Sequence, residues 1–381
     1  MKICLISPVN PRNTPYTRDT KAGPALGLLR LKYWIESRTE HEVDVIHSDV
    51  ENPYINYSKY DYVGIGSYYP TMKYDLKLGA WIKKTFDVTL IYGGINPTFL
   101  PSEYLTTGDI VVRYEGEKAL ERILEERITE GVVDGPYLSE SEWREATFNL
   151  PYESAPWKKI WEFNRRRYGV GPAVRLVTIS GCRRGCVFCS STNFIKKIRF
   201  LSSDELAALC DRVARFLPPN GIIILQGDDE LYGRARRRFF DLYERGYRFP
   251  RPVSIQTEVK RIDEETAHVL KELGVFEVCL GVESFSENIL REYEKKATVE
   301  DNERALDILL RYGFRIYANI ILNGLGIYST KEDVEYTLKR IEYWKRKGKG
   351  KIVFGINKEV IPLPGSKYWS ILQSKDEVKV K

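Results

Sequence analysis

Short apolar, β-branched runs alternate with amphipathic stretches along most of the chain. KICLIS (2–7), EVDVIHSD (42–49), YDYVGIGSY (60–68), VTLIYGG (88–94) and DIVVRYEG (109–116) read as strands. Helical spacing occupies 23–37 and the stretches near 72–85, 98–106 and 117–130. This alternation predicts a doubly wound parallel sheet with helices on both faces, over residues 1–131. A ligand to such a sheet binds beyond the carboxyl ends of the strands, at the topological switch point. The loops expected there, SPVNPRNTPYT, GSYYPT and GGINPT, are rich in Gly, Pro, Asn and Thr, which let backbone approach a ligand.

Residues 132–172 break the rhythm with prolines, acids and Trp143, Trp157 and Trp161. They read as a connector packed against both halves. A second alternation starts at 173. Strands are expected at 173–180, 221–227, 252–259, 276–284, 314–323 and 351–360. Helices are expected at 203–217, 230–246, 263–274, 286–312 (broken) and 330–347. Six βα units predict a partial parallel barrel over 173–369, with its chemistry at the strand carboxyl ends. Residues 370–381 read as a C-terminal tail.

Composition changes this picture little. The 381 residues suit two domains. No run of about 18 apolar residues occurs, so no transmembrane segment is expected. MKICLISPVN reads as a first strand and not as a signal peptide, which implies a cytoplasmic chain with reduced thiols. The net charge of +6 suits a solvated surface and permits an anionic partner. FNRRRYGVG (163–171) and GRARRRFFDLYERGYRFPRP (233–252) mix Arg with aromatics. That is the composition of basic helices with a buried aromatic face, and also of an RNA or phosphate grip.

The cysteines change it more. Three of six, Cys182, Cys186 and Cys189, fall within SGCRRGCVFCSS, at the end of the first barrel strand. The flanking charge argues against a core segment. Zinc asks for four ligands in a closed site, and the nearest fourth candidate is Cys210, on an apparent helix. Iron–sulfur clusters also take thiolates, and three of them on a cubane leave one iron open to a chelating ligand. Cys4, Cys210 and Cys279 lie in apolar patterns and read as core.

CRRGCVFC, C-x3-C-x2-C with an aromatic before the last Cys, resembles the signature of the radical SAM superfamily. The resemblance implies a 4Fe–4S cluster on Cys182, Cys186 and Cys189. S-adenosylmethionine (SAM) would chelate the open iron, and an external electron donor would drive its cleavage to a 5′-deoxyadenosyl radical. The match extends over about 173–369. In ILQGDDEL (224–231), Gly227 and Asp228 correspond to the SAM amino-group motif. Glu258 corresponds to a ribose contact. In LGVESFSENILREYEKKAT (280–298), Glu283 and Ser284 lie near SAM, and Lys295 pairs with its carboxylate. Phe188 packs near the adenine. Arg183 and Arg184 would hold SAM or meet the reductant. Asp228, Asp229, Glu283 and Ser284 have a second reading as helix caps, and Glu258 and Lys295 one as surface charge.

The first domain resembles the Rossmann/flavodoxin-like cobalamin-binding domain that precedes the barrel in the cobalamin-dependent class, over GLLRLKYWIES, GIGSYYPTMKYDLKLGAWIKK, LIYGGINPTFLPSEYL and DIVVRYEGEKALERIL. On that match Gly93 and Gly94 approach the corrin or its nucleotide tail and Thr98 hydrogen-bonds there. Gly66, Ser67 and Tyr68 line the tail pocket. The D-x-H-x-x-G histidine of many cobalamin folds is missing, and His47 reads as exposed. Tyr68, Tyr69 or Asn10 would face cobalt instead. The resemblance implies a methyltransferase acting on an unactivated carbon through methylcobalamin. The substrate classes open to it are peptide, lipid, tRNA and small metabolite. A non-methylating radical reaction (cyclisation, ring contraction or C–C coupling) and a non-catalytic metal module stand as alternatives.

Overall fold

The computed structural model describes residues 1–9 and 21–379, with no side chains described beyond 374. Asn10 and most of the loop after the first strand fall outside the described residues. The chain forms two compact units, Met1–Pro172 and Ala173–Lys381. Among the described residues no helix is long and apolar enough to cross a membrane.

The first unit holds β1 (Lys2–Ile6), β2 (Glu42–Ile46), β3 (Tyr62–Gly66), β4 (Thr89–Gly93), β5 (Ile110–Tyr114) and β6 (Gly131–Gly135). They form one parallel sheet in the order β2-β1-β3-β4-β5-β6. The order reverses between β1 and β3, so the switch point lies at Ser7 and Gly66–Tyr68. β-Branched and aromatic residues point to both faces because helices cover both. Ile6, Val63, Ile65, Leu90 and Tyr92 are buried against Leu78 and Ile82 of the helix Met72–Thr85. Each such side chain contributes roughly 1.5–3 kcal/mol by leaving water.

The expected connector belongs to this first unit. Gly131–Gly135 adds β6 at the sheet edge, and the helices Glu140–Phe148 and Trp157–Tyr168 follow. Ser139 and Glu142 start the first of these with a reciprocal capping box. Arg38 pairs with Glu145 at 2.9 Å. The buried Asn164 exchanges hydrogen bonds with both backbone groups of Ala22, at 2.8 and 2.9 Å.

The second unit holds β7 (Ala173–Leu176), β8 (Ile179–Ser180), β9 (Arg199–Phe200), β10 (Ile222–Leu225), β11 (Val253–Glu258), β12 (Val275–Glu283), β13 (Arg315–Ile321) and β14 (Ile352–Asn357). Six of these lie side by side in chain order, β7-β10-β11-β12-β13-β14, all parallel, as in an open (β/α)6 barrel. The outer face (Ile223, Ile255, Val278, Leu280, Ile316, Ile320) is buried. β8 leaves this sheet and pairs antiparallel with β9, a small hairpin that frames the cysteine loop. Capping boxes start the helices Ser203–Ala214 (Ser202, Glu205), Val299–Arg311 (Thr298, Asp301) and Lys331–Gly348 (Thr330, Asp333). The Thr298 cap breaks the long expected helix into Glu287–Glu292 and Val299–Arg311. The expected tail is part of a helix, Lys367–Lys379.

Candidate functional site

A cavity of about 430 Å³ opens at the carboxyl ends of the second unit's strands, and Cys182, Cys186 and Cys189 all line it. None is in a disulfide. The loop carrying them is held from two sides. The Val187 N–H donates to Tyr293 O at 3.0 Å, and the Tyr368 N–H donates to Val187 O at 2.9 Å. The Cys189 N–H closes a turn onto Cys186 O at 3.0 Å. Phe188 also lines the cavity, with its ring edge-on to Tyr293 at 5.5 Å. Burial pushes the Cys182 thiol up. It pushes Cys186 up to about 11, with the Lys295 cation opposing. Cys182 and Cys186 are therefore thiols near neutrality, and binding a metal would release their protons.

Among the described residues no group of three or more His, Cys, Asp or Glu side chains converges as ligands of a single ion would. The thiols share a cavity without sharing a point. A multi-iron cluster takes one thiolate per iron, so its ligands need not converge on one ion.

Gly227 and Asp228 line the same cavity at the end of β10. A side chain at Gly227 has no room: its Cβ would lie 2.1 Å from Ile179 Cγ2 and 2.7 Å from Ile179 O. Asp228 Oδ2 accepts the Gly181 N–H at 2.7 Å, which fixes the residue before Cys182. The support for this corner is Glu230, which the sequence reading passed over. It is fully buried and accepts from the Gly227 N–H at 2.8 Å, the Thr178 hydroxyl at 2.5 Å and Arg238 Nη2 at 2.9 Å. Burial pushes its carboxyl up, and the Arg238 charge resists that. Arg238 spends its other donors on the carbonyls of Ala235, Thr178 and Glu230.

Two buried ion pairs flank the thiols. Lys295 Nζ meets Glu283 Oε1 at 3.0 Å, and both line the cavity. Burial works against the Lys295 charge, but Glu283 and Cys186 outweigh it and raise the group. Glu283 sits at φ 64°, a left-handed conformation that costs a non-glycine residue about 1 kcal/mol or more. The second pair joins Arg184, of the cysteine loop, to Asp229 and to Glu258 Oε1, the latter at 3.1 Å. Glu258 lines the cavity and also meets Arg261 at 3.3 Å.

Ser284 lies elsewhere. It lies one residue past the end of β12, after the left-handed turn at Glu283. It is buried, shares a 3.0 Å hydrogen bond with Thr337, and accepts the Ser286 N–H at 3.1 Å. Gln226, Gln256 and Asn319, also missed, add neutral amides to the cavity wall. Their signal was the inward phase of β10, β11 and β13. Glu292 was missed too. Its carboxylate accepts the backbone N–H groups of Leu325, Ile327, Tyr328 and Ser329, and so shapes the loop after β13. Burial opposes its charge, and those donors overcome it, leaving the carboxyl below its ordinary range.

In the first unit Gly66–Tyr68 and Gly93–Gly94 sit together at the carboxyl ends of β3 and β4, where the Ser67 N–H donates to Gly93 O at 2.9 Å. Gly94 has φ 108°, and a Cβ there would lie 2.8 Å from Ser67 O, so glycine is required. Ser67 is buried, donating to Asp75 Oδ2 at 2.6 Å and sharing a 2.7 Å bond with Tyr104 OH. Asp75 also accepts from the Val9 N–H at 2.7 Å and the Thr71 hydroxyl at 2.5 Å, and burial pushes it up to about 7. Thr98 is buried as well; its hydroxyl donates to Gly94 O at 2.8 Å and accepts from the Tyr114 N–H at 2.9 Å. Ser67 and Thr98 therefore brace the loops from within. Tyr68 is half-buried. Asn96 donates to Tyr104 OH at 2.7 Å, while its Oδ1 is buried without a partner among the described residues.

His47 is buried, not exposed. Its Nδ1 accepts the Ala25 N–H at 3.2 Å, and burial lowers its basicity. His41 lies against Glu125 and His268 against Tyr243.

Residues 176–341 match the model of the radical SAM superfamily. An uncharacterized methyltransferase of Pyrococcus horikoshii is 26% identical over 97% of this chain and 82% of its own length. The cobalamin-dependent S-adenosylmethionine radical enzyme OxsB, solved with aqua-cobalamin, superposes over 99% of this chain with a TM-score of 0.69 at 16% identity. The chain spans 61% of OxsB's length. The radical S-adenosylmethionine methyltransferase TsrM of Kitasatospora setae, solved with cobalamin and a [4Fe-4S] cluster, superposes over 98% of this chain and 75% of its own, with a TM-score of 0.72 at 14% identity. At those identities the likeness is one of fold. Residues 176–341 form a radical SAM domain, and the chain as a whole carries the fold seen in the cobalamin-dependent radical SAM enzymes.

Proposed function

We propose that this chain is a cobalamin-dependent radical SAM methyltransferase that methylates an unactivated carbon. One observation carries the reading. Three unpaired thiols share a cavity with two buried ion pairs and a glycine edge, at the strand carboxyl ends of the unit that the family model matches. When bound, the cluster and SAM supply a 5′-deoxyadenosyl radical by one-electron cleavage, and cobalamin supplies the methyl carrier.

The chain's own residues supply the surroundings. Cys182, Cys186 and Cys189 are the cluster's ligands, and their number leaves one iron for SAM. Gly227, held by Glu230 and packed too closely on Ile179 to carry a side chain, would present its backbone to SAM. Lys295 is a buried cation suited to SAM's carboxylate, with Glu283 keeping it charged. Asp228 and Glu258 add acceptors for SAM's amino and ribose groups, and Phe188 an apolar wall. In the first unit Gly93, Gly94 and Gly66–Tyr68 form the cobalamin edge. All three histidines are engaged, so the described residues offer cobalt no ready imidazole. A low-potential external donor supplies the electron.

An acid-quenched, air-free reaction with SAM, cobalamin, reductant and cell extract tests the reading. Methyl transfer predicts 5′-deoxyadenosine, S-adenosylhomocysteine and a methylated product together. 5′-Deoxyadenosine without the other two contradicts it.

A further inference from the structure

We infer that Arg184, in the cysteine loop, is a positioning residue that eases electron entry into the cluster, by offsetting the buried carboxylates of Asp229 and Glu258 that it meets. The inference rests on the cluster reading above and adds a role to a residue of the cysteine loop.

Arg183 and Arg184 are neighbours with different fates. Arg183 is exposed. The Arg184 side chain retains 14% exposure, against 0% for Asp229 and 6% for Glu258. Asp229 is held in place by the Thr257 hydroxyl at 2.6 Å, so it cannot turn away to water. Glu258 shares a second cation, Arg261, which is one-third exposed. Asp229 has no other cation among its ion pairs in the described residues. Arg184 lies two residues beyond Cys182 in the cysteine loop and lines the same cavity. One residue thus links the cysteine loop to the ends of β10 and β11.

The redox consequence follows from charge. Reduction adds one electron to the oxidised cluster, taken from a low-potential one-electron donor. No bond forms or breaks, and no proton is needed. An added negative charge is resisted by a nearby buried carboxylate and favoured by a nearby buried cation, with little solvent to screen either. Arg184, which lines the cavity with the thiols, offsets the Asp229 charge that it meets.

A potentiometric titration followed by EPR tests this on the full-length protein, reconstituted with iron and sulfide, without SAM. Arg184→Met should shift the midpoint to more negative potential. Asp229→Asn should shift it the opposite way. Arg184→Met/Asp229→Asn should return it towards the parent value, and Arg183→Met should leave it unmoved. A purely structural strut would alter iron loading without shifts of opposite sign. Equal midpoints in all loaded variants overturn the inference. So does failure of both Arg184→Met and the double variant to hold iron when the parent holds it. A parent protein that takes no cluster contradicts the cluster reading itself, and is distinguished by its iron content.

Discussion

Glu230 and Arg238 show how much a site can depend on residues that do not line its cavity. Their charges are fully buried, 2.9 Å apart, with hydrogen bonds saturating both. Removing one partner leaves the other charge stranded, at about 3–5 kcal/mol. Glu230→Leu or Arg238→Met should each lower the midpoint of thermal unfolding by several degrees, and Glu230→Leu/Arg238→Met should cost less than the two summed. Calorimetry checks this; strict additivity would contradict it. Asp75 makes a pH-dependent case. Its folded value, about 7, lies above the ordinary 3.8, so between these limits the folded chain holds a proton that the unfolded chain releases. Stability attributable to this group falls as pH rises from about 4 to 7, and is lowest above 7. Asp75→Asn, which mimics the protonated form, should flatten that slope. Chemical denaturation at pH 5 and pH 8 measures it; an unchanged slope would exclude Asp75 as a source.

At the scale of elements, strands with two buried faces were legible because they are continuous apolar runs. β6 was not: GVVDG has two apolar residues and an acid, and as an edge strand it is half exposed. The helix Lys367–Lys379 follows a Pro–Gly turn and lacks a strong apolar stripe, so it read as tail. The cysteines and the glycine and acid at the end of β10 were legible because their chemistry restricts residue type. Glu292 was not, because any helix surface carries such an acid, and only folding brings four N–H groups to it. Glu292→Ala should free the loop after β13, seen as faster hydrogen exchange at 325–329 with the helix 299–311 unchanged; equal exchange would contradict the pinning. Tyr368 offers a backbone test. Proline is tolerated in a helix's first turn, so Tyr368→Pro removes the N–H that holds Val187, together with a ring packed against the apolar cluster that Phe188 joins. Iron retained after gel filtration should fall while helical circular dichroism holds. Full retention would mean the loop stands without that bond.

For the whole molecule, the alternating pattern reads through to two parallel sheets of different topology, one with a switch point and one in chain order. Both put their functional loops at strand carboxyl ends, which is why motif positions and fold agree. The parts that were hidden are those that depend on three-dimensional closure: which arginine of a pair turns inward, and which hydroxyl braces a loop from within. The account's central claim is that three thiolates hold a cluster whose fourth iron is left for SAM. EPR of the reduced, air-free protein with and without SAM tests it most directly. The account predicts a reduced-cluster signal that SAM perturbs, and its loss in Cys186→Ala. A signal indifferent to SAM, or a protein that takes up zinc and no iron, would contradict it.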